Sequence, residues 1–182
     1  MIAFTIIYAS DIILLLSGEG YEGAIIPMQL VMPLVLIIGI EQILITQTLV
    51  PLKADKAVLT NTIFGAIVGI TMNVLLVYQY KSIGSSLVWI FSEIAVLLSA
   101  MHFVKKEINF TLPFKSILKS TLLYLPCCLL LFMLKYIEVN YLVHLMLAGL
   151  FTLLYAFVVN VFISKNEYVS LYANKILKKT RK

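Results

Sequence analysis

Between Ala24 and Val50 the chain carries one ionisable side chain, Glu41, in an otherwise apolar run. At a rise of about 1.5 Å per residue, a helix of that length crosses a hydrocarbon core of about 30 Å. A strand reading fails because the run lacks period-two alternation, and lipid leaves no place for an open sheet edge. The run ends in a short cationic turn, Lys53-Ala54-Asp55-Lys56, which helps to set the side of the membrane on which it lies.

The rest of the chain fits that solvent. Of its residues 62% are hydrophobic and 13% charged, against roughly 25% charged in soluble domains. That leaves too little polar surface to cover a water-soluble globule. The net charge of +5 does not point to nucleic acid, because the cations sit between apolar spans instead of gathering on one face of ordinary globular sequence. Cys127 and Cys128 are adjacent within an apolar run, which suits packed thiols better than a disulfide or a metal site. Met1–Leu16 lacks a basic leader and is followed by Gly-Glu-Gly-Tyr-Glu-Gly, so it does not read as a cleavable signal peptide.

Six apolar segments follow one another: Met1–Leu16, Ala24–Val50, Ala57–Tyr80, Leu87–Val104, Ile117–Leu134 and Tyr141–Ile163. Their short connections make neighbours antiparallel, predicting an all-α integral membrane domain over 1–164 with a basic tail over 165–182. Twelve of the fourteen Lys and Arg residues fall in the second turn, the segment Lys105–Lys119 and the tail, whereas the intervening turns hold only Lys81 and Lys135. The positive-inside rule then places both termini in the cytoplasm, with Gly18–Gly23, Lys81–Ser86 and Lys135–Asn140 outside. Lys105–Ser116 and the tail, which mix lysines with apolar and aromatic residues, are expected to lie along an anionic leaflet.

Pro33 and Pro126 are expected to bend their helices, since each removes a backbone hydrogen bond. In the third segment Asn61, Gly65, Gly69 and Asn73 recur every four residues and share one face. The Gly-x-x-x-Gly pair admits a neighbouring backbone, and the asparagines can hydrogen-bond across the contact, either as static packing or as the lining of a polar passage.

Three carboxylates lie inside apolar segments: Asp11, Glu41 and Glu93. Charge in the bilayer is expensive, so such groups face a bundle interior, a wet cavity or a partner, and they are the candidates for substrate contact or ion coupling. Gln42 and Gln47 offer Glu41 local polar support, and Asp11 can reach water at the outer end of its helix. His102 and His144 fall at segment ends without metal-ligand spacing and read as interfacial tips. The chain lacks a phosphate-binding loop, a dinucleotide fingerprint, a nucleophile elbow and an Asp-rich metal motif. Nothing in these residues calls for catalysis, a metal or another cofactor.

The order of features resembles the C-terminal part of bacterial polysaccharide and O-antigen flippases, the Wzx-type members of the multidrug/oligosaccharidyl-lipid/polysaccharide exporter superfamily. The likeness is carried by Ala9-Ser-Asp-Ile-Ile-Leu-Leu-Leu-Ser-Gly18 with Tyr21 and Ala24, by the long second helix with its Lys-bearing turn, by Asn61 with Asn73, and by Ile83-Gly-Ser-Ser-Leu-Val-Trp-Ile-Phe-Ser-Glu93. It covers about residues 5–104, and Ser85-Ser86 departs from the family's usual Gly-Ala. The resemblance implies part of the second lobe of a MATE-like fold, beginning inside that lobe, and alternating-access export of a polyprenyl-diphosphate-linked oligosaccharide across the inner membrane. It also implies membrane lipid around the chain, no nucleic acid, and an N-terminal lobe or partner chain that completes the cavity. A small-solute or multidrug exporter of the same superfamily and a non-catalytic scaffold for polysaccharide assembly remain alternative readings.

Overall fold

The computed structural model describes residues 1–108, 118, 121–135 and 140–160. About 89% of it is helical, and the described residues contain no strand. The helices are α1 (Ile2–Ile7), α2 (Ala9–Ser17), α3 (Ile25–Val31), α4 (Leu34–Leu44), α5 (Asp55–Ile108), α6 (Leu125–Leu134) and α7 (Tyr141–Val158). Three helical stretches are long and apolar enough to cross a membrane: Glu22–Leu49, Asp55–Ile108 and Tyr141–Val158. The chain divides into two compact units, essentially residues 4–113 and 114–182.

The first apolar segment differs from its expectation. Met1–Leu16 is broken at Tyr8 into α1 and α2, neither of which spans on its own. Gly18, at a φ of 79° that favours glycine, closes α2 by donating its N–H to the Leu14 carbonyl at 3.0 Å. In the turn that follows, the Gly20 N–H donates to Glu22 Oε1 at 3.1 Å.

The second segment is helical throughout but not uniform. A 3-10 turn over Glu22–Ala24 leads into α3, and Pro33 divides α3 from α4 as its missing donor requires. Tight bonds from Val35 N to Met32 O (3.2 Å) and from Leu36 N to Pro33 O (3.1 Å) carry the chain past the break. At the far end Ile45–Leu49 widens into a π turn, closed by Val50 N on Ile45 O at 3.0 Å. Pro51 follows at once and has no N–H to continue a regular ladder.

The α5 helix is a hairpin. Lys81, at φ 49° and ψ −121°, is its only non-helical residue, and the chain reverses there into limbs 55–80 and 82–108. The expected turn Lys81–Ser86 therefore shrinks to one residue, with 82–86 already helical. The limbs meet at small residues: a Cβ on Gly84 would lie 2.5 Å from the Leu76 carbonyl oxygen, and one on Gly65 would collide with Val96 Cγ2. Ser92 Oγ donates across the seam to the Gly65 carbonyl at 3.0 Å.

Beside the hairpin, α4 and the π turn pack against its open end through a cluster of Leu44, Leu49, Ala57, Ala100 and Val104. At the closed end Ser86 Oγ reaches the Pro27 carbonyl (3.5 Å), and on another side Gln29 Nε2 donates to the Ile6 carbonyl at 2.9 Å. Lys105 and Lys106 belong to the last turn of α5. The surface segment expected from Lys105 thus starts as a continuation of the span, and its remainder lies outside the described residues.

In the second unit, Thr121–Leu134 is a shorter apolar helix interrupted at Tyr124. Pro126 sits in the first turn of α6, where a missing N–H is tolerated, so the break precedes it and the helix beyond runs on. Tyr155 Oη donates to the Leu123 carbonyl at 3.0 Å, tying α7 to this break. Asn160 Nδ2 donates to Tyr124 Oη at 3.1 Å. His144 is not an exposed tip: it is buried, and its Nε2 bonds the carbonyl of Leu134 at the end of α6 at 2.6 Å. His102 is exposed, as expected. The start of the fifth segment, the end of the sixth, the turn residues 136–139 and the tail lie outside the described residues.

Among the described residues many large apolar side chains face outward: Leu16, Ile70, Val74, Tyr78, Met133 and Met146 are each more than two-thirds exposed. Such exposure is compatible with a lipid environment.

Candidate functional site

Glu41 is placed by α4 and Glu93 by the second limb of α5. Position 41 lies one helical turn before Leu44, whose side chain joins the apolar cluster against the hairpin, and so Glu41 faces the same way. It is only 6% exposed. Glu93, on the facing limb, is the ionisable group that acts on it.

Trp89, one turn earlier on the limb, donates its indole N–H to Glu93 Oε1 at 2.9 Å and fixes the rotamer of that carboxylate. Glu41 Oε1 is buried and has no hydrogen-bond partner. Two acids from separate helices therefore lie near each other, with Glu41 Oε1 free to accept a proton, a hydroxyl donor or a coordinated cation.

The polar support expected from Gln42 is not directed at Glu41. Gln42 Oε1 accepts from Thr46 Oγ1 at 2.8 Å on the exposed side of the helix, and Gln47 is exposed as well. The residue that matters is 52 positions away in sequence, and only the hairpin reversal at Lys81 brings it back. Asp11 does not join the pair. It is half-buried on α2 and accepts from its neighbour Ser10 at 3.4 Å.

The predicted small-residue face divides along its length. Asn61 is 1% exposed and its Oδ1 has no partner, Gly65 is buried in the seam, Gly69 is half-buried and Asn73 is exposed. The cross-limb hydrogen bond expected of the asparagines is made by Ser92. Along the seam Gly65, Gly69, Asn73, Val88 and Ser92 line an open groove of about 420 Å³.

No family model matches this chain, and no curated protein or solved structure does. The site is therefore read from its own chemistry. Sequence reasoning missed Trp89 and Ser92 as partners. Trp89 carried a signal, since it stands four residues before Glu93 on the same helical face, a spacing at which side chains meet.

Proposed function

We propose that this chain is part of a bacterial inner-membrane flippase that moves a polyprenyl-diphosphate-linked oligosaccharide to the outer leaflet during polysaccharide or O-antigen synthesis. In this reading Glu41 and Glu93 couple movement to a proton or a cation. The observation that carries it is the Glu41–Glu93 contact. Two neighbouring acids on different helices, one of them buried, are expensive to keep and are suited to exchanging a charge as the helices move. Pro33 and the π turn over Ile45–Leu49 bracket Glu41 and supply the irregular backbone that a moving helix uses.

The proposed arrangement has six crossings of a MATE-like second lobe, both termini cytoplasmic, and a counterpart lobe or partner chain across the substrate path. It is non-catalytic. The same acidic pair would also serve a small-solute exporter of that superfamily, whereas a scaffold for polysaccharide assembly has no use for it.

Deleting the coding sequence from its own genome tests the proposal. Lipid-linked oligosaccharide should accumulate on the cytoplasmic face while surface polysaccharide falls, and plasmid-borne wild type, but not the Glu41→Gln/Glu93→Gln double variant at equal abundance, should reverse both. Unchanged polysaccharide with altered drug tolerance would transfer the assignment to the exporter. Full rescue by the double variant would remove the acids from the mechanism.

A further inference from the structure

The apolar cluster at the open end of the hairpin joins two stretches far apart in sequence. Ala57 immediately follows Lys56, and Val104 immediately precedes Lys105, so burial of Ala57 and Val104 in one cluster brings the turn after α4 and the last turn of α5 together. Packed helix axes lie about 8–10 Å apart. Lys53, Lys56, Lys105 and Lys106 therefore converge on one end of the unit, and all four are exposed. Lys53 is held there by a left-handed backbone, φ 56°, that a residue without a glycine's freedom rarely adopts.

Among the described residues, only Asp55 and Glu107 offset these four cations at this end. The opposite end, with the Gly18–Gly23 turn and the hairpin tip, holds Glu19, Glu22 and a single Lys81. Two neighbouring residues sharpen the picture. Leu52 is exposed and Phe103 half-buried, so the lysines ring an apolar rim of the kind that meets acyl chains just below a headgroup.

We propose that Lys53, Lys56, Lys105 and Lys106 form one binding surface for the phosphate of anionic phospholipid headgroups. An ammonium at the edge of an apolar span sits at headgroup depth, and cations from the turn after α4 and from both limbs of the hairpin can hold a phosphate between them. The surface requires only that the chain sits in a bilayer. It does not depend on what the protein transports, so it can stand or fall separately from the flippase reading.

The test uses the full chain purified in a zwitterionic detergent and titrated with spin-labelled phosphatidylglycerol or phosphatidylcholine, reading the preference for the anionic lipid. Lys53→Gln/Lys56→Gln and Lys105→Gln/Lys106→Gln should each lower that preference, by roughly fivefold per lysine removed. The matching Lys→Arg pairs should retain it, which separates charge from misfolding. Lys81→Gln at the tip should leave it unchanged. A preference untouched by either Gln pair, or lowered as much by the tip variant, overturns the surface. Displacement by inorganic phosphate but not by sodium chloride at matched ionic strength would show a free-anion site and overturn the assignment to lipid.

Discussion

Adding a methyl group at Gly84 should damage the protein in a way that no side-chain truncation can repair. A Cβ there would stand 2.5 Å from the Leu76 carbonyl oxygen, 2.9 Å from its carbon and 3.0 Å from Val77 Cα. Carbon and carbonyl oxygen tolerate about 3.3 Å at closest, so the limbs must separate by roughly 0.8 Å beside Lys81. A gap of that size forfeits about a quarter to a half of each dispersion contact along the seam. Overpacking of this kind costs about 1–3 kcal/mol.

Gly65→Ala meets a different obstacle, the Cγ2 of Val96, which is a side chain. Val96→Ala should therefore restore most of what Gly65→Ala loses. Gly84→Ala, blocked by backbone, should find no such rescue from Leu76→Ala or Val77→Ala. Gly39→Ala has nothing within 4 Å and serves as the neutral reference. Reversible unfolding of the full chain from mixed micelles into dodecyl sulfate, followed by circular dichroism, measures the differences. If Gly84→Ala unfolds at the same denaturant fraction as Gly39→Ala, the close approach of the limbs is wrong.

Three further outcomes follow from the same geometry. Trp89 is the only tryptophan, so Glu93→Ala should shift its emission by removing the 2.9 Å acceptor, while Asp11→Ala should leave the spectrum unchanged. Tyr155→Phe should destabilise the second unit by about 0.5–1.5 kcal/mol through loss of its bond to the Leu123 carbonyl, read in the same unfolding titration against Phe157→Leu as a packing control. A cysteine replacing Lys56 in intact cells should resist a membrane-impermeant maleimide until the membrane is opened, and one replacing Gln79 should react at once. The reverse pattern would refute the orientation drawn from the cation distribution.

How much of this was legible in the residues depends on the range of the interaction. Helical class, the break at Pro33 and the burial of Asn61 and Gly65 are local or periodic properties, and hydropathy and spacing carried them. The split of Met1–Leu16 at Tyr8 was not legible, because no proline or glycine marks it. The one-residue reversal at Lys81 was hidden for a related reason: Ser82–Ser86 reads as a polar turn, yet the closed end of the hairpin buries Ser86 and Gly84 and keeps them helical. The partner of Glu41 lay outside any window a sequence pattern can scan. Gln42 was close in sequence and pointed away, whereas Glu93 was distant and faced it.

The single-residue reversal at Lys81 also bears on how the protein is made. Limbs 55–80 and 82–108 have no slack between them. On insertion into a bilayer they are therefore expected to enter together, with one end carried across. The tip presents one lysine to the hydrocarbon during that passage, while the open end holds four lysines and two carboxylates. In the proposed orientation, passage of the tip costs less than passage of the open end, and sidedness would follow from which end stays behind. A second lysine engineered beside Lys81 would burden assembly before it altered the finished molecule.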